Sequence, residues 1–206
     1  GGYGRGELHP YSDIDVLVLH GDTTLSVELQ EKVSQFITLL WDLGLDIGSS
    51  VRSLETCIDK VNEDITIATT FLEIRTLCGL DSLRQNLLEL IAPLWSDAVF
   101  FEAKRDEQIQ RHRKHNDTEY NLEPDLKNAP GGLRDIQTIV WVTKRHFQTN
   151  NLYDLVSNGF LTEYEYKQLA QGEAFLWKIR FALHHIAARN ENKLLFDYQR
   201  TLALQL

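Results

Sequence analysis

The stretch that decides the fold is GGYGRGELHPYSDIDVLVLH, residues 1–20. Its glycine-rich start is followed by Asp13 and Asp15, which precede the apolar run of residues 16–19. Because strand side chains alternate between two faces, both carboxylates point the same way, about 7 Å apart. Two like charges at that distance repel each other, and a shared divalent cation would remove the repulsion. The stretch therefore predicts a metal-binding pair of carboxylates at the start of a strand.

The glycines ahead of this pair indicate a phosphate-binding turn. Glycine lets the backbone bend closely and leaves its N–H groups open to an anion. The alternative is that Ser12 and Asp13 only cap or bend the chain. A simple turn explains neither the glycines nor the phase of the strand, so we favour the metal and phosphate interpretation.

Composition limits the class of protein. The chain has 206 residues and a formal net charge of −9, which argues against non-specific nucleic-acid binding. Cys57 and Cys78 are too few for a disulfide framework and suit a reducing cytoplasm. No apolar run has transmembrane length, so we expect no membrane partner. The chain lacks methionine and begins inside a glycine loop, which predicts an excerpt of a longer protein.

The order of elements predicts an α+β core followed by an all-helical region, with domains at residues 1–80 and 81–206. In the core we expect a strand at 13–19, a helix at about 25–43, a strand in LDIGSSVRS, a short helix capped by Ser53, and a third short strand at 73–78. Beyond it we expect helices at 96–115, 133–147 and 162–189, the last with a Thr162–Glu165 capping box. Residues 117–132 form the one long predicted loop.

A third carboxylate is expected on the neighbouring strand. Asp46 stands between Leu45 and Ile47, and Asp42 is its rival at the end of a helix. The alternative for Asp46 is a solvated strand residue. Arg52 has the same strand phase as Asp46, so it is a candidate for neutralising phosphate charge or a plain surface arginine.

The segment KNAPGGLRD, residues 127–135, allows two interpretations. A helix beginning at Leu133 has free N–H groups that can bind an anion, and Lys127 and Arg134 flank that end. Alternatively, residues 117–132 are a strap that holds the helical region to the core. The sequence leaves both open.

The opening signature resembles that of the bacterial PII uridylyltransferase/uridylyl-removing enzyme family. The blocks LWDLGLDIGSSVRSLETC, DITIATTFLEIR, YNLEPDLKNAPGGLRDIQTIVWVTKRHF and LWKIRFALHHIAARNENKLLFDYQ are similar to successive blocks of that family. The resemblance implies a polymerase-beta-like nucleotidyltransferase core with a small mixed sheet. It also implies transfer of UMP from UTP to a tyrosine of the PII signalling protein, with release of pyrophosphate.

Carried over to this chain, the resemblance implies that Gly1 and Gly2 meet the triphosphate. Asp13 and Asp15 would bind Mg²⁺, or Mn²⁺ in its place, with Asp46 as third ligand and helper in deprotonating the tyrosine. From their positions in the sequence, Arg5, Arg52, Lys127 and Arg134 are further candidates for contacting the nucleotide. The alternative for Arg5, as for Arg52, is a plain surface arginine.

Alternatives to this reaction remain at the level of sequence. One is an adenylyltransferase-like enzyme, since the choice between UTP and ATP cannot be read from these residues. Another is a nucleotide-binding signalling module without turnover, although such modules typically lose a metal carboxylate. We further expect this stretch to lack the uridylyl-removing and glutamine-sensing domains of the family.

Overall fold

The computed structural model describes residues 1–21, 24–115, 120–149 and 151–205. In order along the chain, its elements are α1 (Gly2–Arg5), β1 (Ile14–His20), α2 (Val27–Asp42), β2 (Ile47–Ser53), α3 (Leu54–Glu63), α4 (Ile65–Phe71), α5 (Asp81–Ile91), a 3₁₀ turn (Ala92–Leu94), α6 (Asp97–Lys114), α7 (Leu133–Phe147), α8 (Asp154–Ser157), α9 (Glu163–Ala187) and α10 (Phe196–Ala203).

The two strands form a parallel pair that α2 connects. Ile14 is in register with Ile47, and the pairing continues to His20 and Ser53. The predicted class, a small sheet with helices followed by a helical region, is confirmed. The sheet is parallel in the described part of the chain, whereas the resemblance had implied a mixed one.

The prediction of a third strand at residues 73–78 is wrong. This segment follows α4 as tight turns, in which Glu73 N donates to Thr70 O at 3.2 Å and Ile74 N to Phe71 O at 3.3 Å. Its apolar residue Ile74 packs against the core from a loop. The apolar pattern of this segment therefore reflects burial of Ile74 in the core and not pairing between strands.

The helix boundaries follow capping residues, of which Ser53, Thr162 and Glu165 were predicted. Ser26 accepts a hydrogen bond from the first turn of α2, and Ser53 does the same for α3. Thr162 and Glu165 form the predicted capping box of α9. These side chains satisfy backbone N–H groups that have no partner within the helix, which is why they fix where each helix begins.

The chain divides into two compact units, residues 1–96 and 97–206. In the first unit, Leu17 and Leu19 of β1 pack against a core of buried side chains from α3, α4 and α5: Cys57, Val61, Ala68, Phe71, Leu87 and Ile91. Because α5 supplies part of this core, the first unit extends past the boundary expected at residue 80.

The second unit has its own core around Leu126, Leu183 and Leu202. The strap segment, as we call residues 120–132, contributes Leu126 to this core, and its Leu126 N donates to Asn192 O at 2.8 Å. Residues 117–119 of the predicted loop lie outside the described residues. In the described ranges, no helix has the length and apolar character needed to cross a membrane.

Candidate functional site

Asp15 lies near the amino end of β1, in register with Gly48 of β2. A Cβ atom on Gly48 would lie 3.0 Å from Asp15 Oδ1, and a Cβ atom on Gly1 would lie 2.5 Å from Asp15 Oδ2. The exposed carboxylate is therefore bordered by two residues without side chains. A larger residue at either position would crowd the carboxylate.

Asp13 and Asp46 lie at the same end of the sheet as Asp15. Ile14, which separates the first two aspartates, donates its N–H to Asp46 O at 2.8 Å. Asp46 directly precedes β2, and all three aspartates are exposed. The structure thus places Asp46 just before the neighbouring strand, at the same end of the sheet as Asp13 and Asp15. Its role as third ligand stays a prediction.

The donors at this end of the sheet fit a divalent cation held jointly with a substrate. No group of three or more His, Cys, Asp or Glu side chains within the described ranges is arranged to hold a metal ion. Mg²⁺ commonly uses one or two carboxylates and completes its coordination with substrate phosphates and water. Asp13 and Asp15 supply the oxygen ligands that Mg²⁺ and Mn²⁺ prefer.

The glycine turn, residues 1–6, is folded back on itself. Gly4 N donates to Gly1 O at 3.0 Å, and Glu7 N donates to Gly2 O at 2.8 Å. Gly6 closes α1 with a φ of 79°, a conformation that favours glycine. The turn is therefore a compact piece of backbone with Gly1 against Asp15.

Arg5 is engaged in ion pairs within the first unit. Its Nη1 lies 2.6 Å from both carboxylate oxygens of Glu73, and its Nε lies 2.5 Å from Glu7 Oε2. Only 12% of the Arg5 side chain is exposed. The guanidinium thus ties the glycine turn to Glu73, and its contact with a nucleotide stays a prediction.

Gly4→Ala is expected to destabilise the first unit by about 2 kcal/mol, a typical cost of overpacking. A Cβ atom at this position would lie 2.1 Å from the main-chain oxygen of Glu73, so backbone must shift to admit it. Urea unfolding followed by circular dichroism measures the change.

The control is Gly172→Ala in α9, where a Cβ atom meets nothing within 4 Å. Alanine favours helix over glycine, so this variant should gain stability. A Gly4→Ala protein as stable as the wild type would contradict the close approach of the two segments.

Arg52 does not lie beside the aspartates. It is in register with Leu19. It follows Asp46 by six positions, which corresponds to about 20 Å along an extended strand. Its charge acts instead on Cys57: burial raises the pKa of that thiol, and Arg52 partly offsets the rise. The two residues share a strand phase, as predicted, but the structure does not bring them together.

The N–H groups at the start of α7 are already bonded. Leu133 N donates to Leu126 O at 3.0 Å, and Arg134 N donates to Lys127 O at 2.8 Å. A Cβ atom on Gly132 would lie within 3.1 Å of three strap carbonyls. The start of α7 is therefore not an open anion site, and the segment before it is bonded within the second unit. Attachment of the helical region to the core by this segment stays a prediction.

The side chains of Lys127 and Arg134 belong to the second unit. The guanidinium of Arg134 lies over the Trp141 ring at 5.2 Å from its centroid, and the ammonium of Lys104 lies 4.5 Å from it. Arg134 is therefore held partly by an aromatic contact. Nucleotide binding by Lys127 and Arg134 stays a prediction.

Asp135 fastens the strap segment to two helices. Its carboxylate accepts hydrogen bonds from Arg111 Nη2 at 2.5 Å, Gln108 Nε2 at 2.8 Å and Gly131 N at 2.8 Å, and contacts His112 Nε2 at 3.0 Å. Burial alone would raise the pKa of Asp135, but the donors led by Arg111 outweigh it and hold the pKa below its usual value.

An open cavity lies on the opposite face of the sheet from Asp15. It is bordered by α2, including Trp41, and by the strand side chains of His20, Ser49 and Val51, which alternate with the aspartate face. The predicted site residues do not line it.

One residue in contact with the glycine turn, Glu73, was not singled out from the sequence. It interrupts an apolar stretch, which is a weak sign of a buried carboxylate with a partner. Gly48 follows Asp46 by two residues and so occupies the same face of the strand, where it borders the Asp15 carboxylate.

Comparison with known proteins is consistent with this geometry. The model of the nucleotidyltransferase domain matches residues 1–72, and the model described as GlnD PII-uridylyltransferase matches residues 99–206. The first match contains the glycine turn and all three aspartates. The second contains the strap segment and the helices of the second unit.

Similar curated proteins bear the name bifunctional uridylyltransferase/uridylyl-removing enzyme. Those of Pseudomonas aeruginosa strain UCBPP-PA14 and Azotobacter vinelandii strain DJ are 54% and 53% identical over 98% of this chain. That of Psychrobacter sp. strain PRwf-1 is 55% identical, also over 98% of it. The chain spans 22–23% of the length of these relatives.

The first unit thus contains a nucleotidyltransferase domain, with its paired carboxylates at the end of a small sheet. The family match across the second unit completes the assignment. The chain belongs to the GlnD PII-uridylyltransferase family.

Proposed function

We propose that this chain transfers UMP from UTP to a tyrosine hydroxyl of a PII signalling protein, with release of pyrophosphate. The observation that carries the proposal is the placement of Asp13 and Asp15 beside the glycine turn, at one end of the sheet. Family membership, and relatives that bear the name uridylyltransferase, support UMP as the transferred group and PII as the acceptor protein.

In this proposal Asp13 and Asp15 hold Mg²⁺, for which Mn²⁺ can substitute. The cation, when bound, neutralises the triphosphate and stabilises the charge that develops during phosphoryl transfer. The two aspartates fix where the α-phosphate lies relative to the incoming hydroxyl. Exposure of both carboxylates leaves them accessible to the substrate.

Asp46 is proposed to help deprotonate the acceptor tyrosine. A tyrosine hydroxyl has an ordinary pKa of about 10, so it is a poor nucleophile at neutral pH without a base. Asp46 is exposed and lies next to Ile14 in the sheet, so an acceptor side chain can approach it. Gly1 and Gly2 are proposed to contact the triphosphate through their backbone N–H groups.

The acceptor protein and the compartment are part of the same proposal. PII is the partner named by the family description, and the described chain shows no helix that could cross a membrane. Cys57 and Cys78 are both free thiols, as suits the cytoplasm, where we place the reaction.

The test is incubation of the chain with PII, Mg²⁺ and α-³²P-labelled UTP or ATP in separate reactions. Protein-bound label from UTP alone supports the proposal. Label from ATP alone would identify an adenylyltransferase instead. Nucleotide binding with no transferred label would identify a binding module without turnover, and either result would overturn the proposed reaction.

Asp46→Asn is expected to lower the transfer rate by about 100-fold, the lower end of what a general base contributes. Asp42→Asn is the matched control, because Asp42 is the exposed last residue of α2 and should leave the rate unchanged. Initial rates at saturating UTP measure both. An inactive Asp42 variant beside a normal Asp46 variant would reverse the assignment of the third carboxylate.

A further inference from the structure

Glu73 is a buried carboxylate in the turn that follows α4. Its side chain is 3% exposed, although ionised carboxylates are rarely buried unless they are paired. It lies outside the sheet and is not one of the predicted site residues. Its contacts therefore need a separate explanation.

Several contacts of Glu73 lead to the glycine turn. Both of its carboxylate oxygens lie 2.6 Å from Arg5 Nη1. The main-chain oxygen of Glu73 borders Gly4 so closely that a Cβ atom there would be 2.1 Å away. Side chain and backbone of Glu73 thus hold the same turn from two directions.

A neighbouring pair strengthens this attachment. The Arg75 guanidinium lies over the Tyr3 ring, 4.5 Å from its centroid. Arg75 follows Glu73 by two residues, and Tyr3 lies in the glycine turn. The post-α4 segment, residues 73–75, therefore contacts the turn at three of its residues, Tyr3, Gly4 and Arg5.

The opposite side of the turn lies against the metal-binding pair. A Cβ atom on Gly1 would be 2.5 Å from Asp15 Oδ2. Internal hydrogen bonds, such as that from Glu7 N to Gly2 O, make the turn compact. Arg5 N also donates to Gly1 O at 3.3 Å, so Arg5 and Gly1 belong to one hydrogen-bonded piece of backbone beside Asp15.

We propose that Glu73 is a positioning residue for nucleotide binding: it fixes the glycine turn at the distance from Asp15 that the triphosphate requires. This inference rests on the proposed function. Loss of the Glu73 charge removes one of the two carboxylates that pair with Arg5, and the other, Glu7, is the more exposed of the two. The turn then opens more often, and phosphate binding weakens.

The experiment combines two measurements on the full chain carrying Glu73→Gln. Hydrogen exchange of the amides of Gly4, Gly6 and Glu7 without nucleotide is expected to accelerate by at least about tenfold. Equilibrium binding of UTP with Mg²⁺, by titration calorimetry, is expected to weaken by about tenfold. Glu73→Asp keeps the charge on a shorter side chain, so it should lie between Glu73→Gln and the wild type in both measurements.

The matched control is Glu63→Gln, which removes an exposed ion pair with Lys60 at the end of α3. It should change neither measurement. Faster exchange with unchanged UTP binding would overturn the positioning role, as would unchanged exchange in a folded Glu73→Gln protein. If Glu73→Gln does not fold, the Glu73→Asp protein decides by the same two criteria. A wild-type chain that binds UTP but transfers no UMP would refute the proposed reaction without contradicting the role of Glu73 in nucleotide binding.

Discussion

Asp13→Asn or Asp15→Asn is expected to lower UMP transfer by at least about 100-fold, because each removes charge that stabilises the transition state. The loss should persist at saturating UTP. Both aspartates are exposed, and asparagine is nearly isosteric with aspartate, so either substitution should leave the fold intact. Initial rates of label transfer to PII measure the effect.

The control for both variants is Asp59→Asn, which removes an exposed carboxylate from α3. It should transfer UMP at the wild-type rate. An Asp13 or Asp15 variant that keeps most of its activity at high Mg²⁺ would show that the paired carboxylates do not form the metal site.

Asp135→Ala is expected to destabilise the second unit by about 3 kcal/mol, the cost of leaving a buried charge without its partner. Arg111, only 12% exposed, would lose its carboxylate, and Gly131 N would lose its acceptor. Chemical denaturation measures the loss. Asp106→Ala, on the exposed face of α6, is the control and should change stability by less than about 0.5 kcal/mol.

The stabilising effect of Asp135 should depend on pH in a defined direction. Its pKa is lowered in the folded chain, chiefly by Arg111 against the opposing effect of burial. Its contribution is therefore complete above the unfolded-state value of about 3.9 and is lost as the pH falls through the folded-state pKa. The stability difference between wild type and Asp135→Ala should shrink below about pH 4, and a difference that grows in acid would contradict the assignment.

Much of the helical structure could be predicted because its signals are local. Capping residues such as Ser53 and Thr162 satisfy N–H groups in their own helix, so their effect is readable from a few neighbouring positions. The boundaries of α7 also agree with the predicted 133–147, although no side chain caps its start. The alternation around Asp13 and Asp15 likewise located β1 to within one residue.

The segment after α4 could not be predicted because its structure depends on distant residues. The buried carboxylate of Glu73 pairs with the guanidinium of Arg5, which lies 68 positions away in the sequence. Ile74 looks like a strand residue but packs on the core from a turn. Strand propensity reflects packing against neighbours more than the backbone itself, so the local pattern was misleading.

The start of α7 shows the same limit. A glycine-rich helix start flanked by Lys127 and Arg134 is typical of an anion site. In the structure, the first amides of the helix donate to the carbonyls of Leu126 and Lys127. These bonds depend on the three-dimensional path of the strap segment, so the local sequence does not reveal them.

The most direct test of the central claim is the intact mass of PII after incubation with UTP, Mg²⁺ and this chain. The account predicts that PII gains the mass of one uridylyl group per modified tyrosine, and that a chain carrying both Asp13→Asn and Asp15→Asn leaves PII unmodified. Equal modification by the double variant would contradict it, and so would unmodified PII in the presence of a folded wild-type chain that binds UTP.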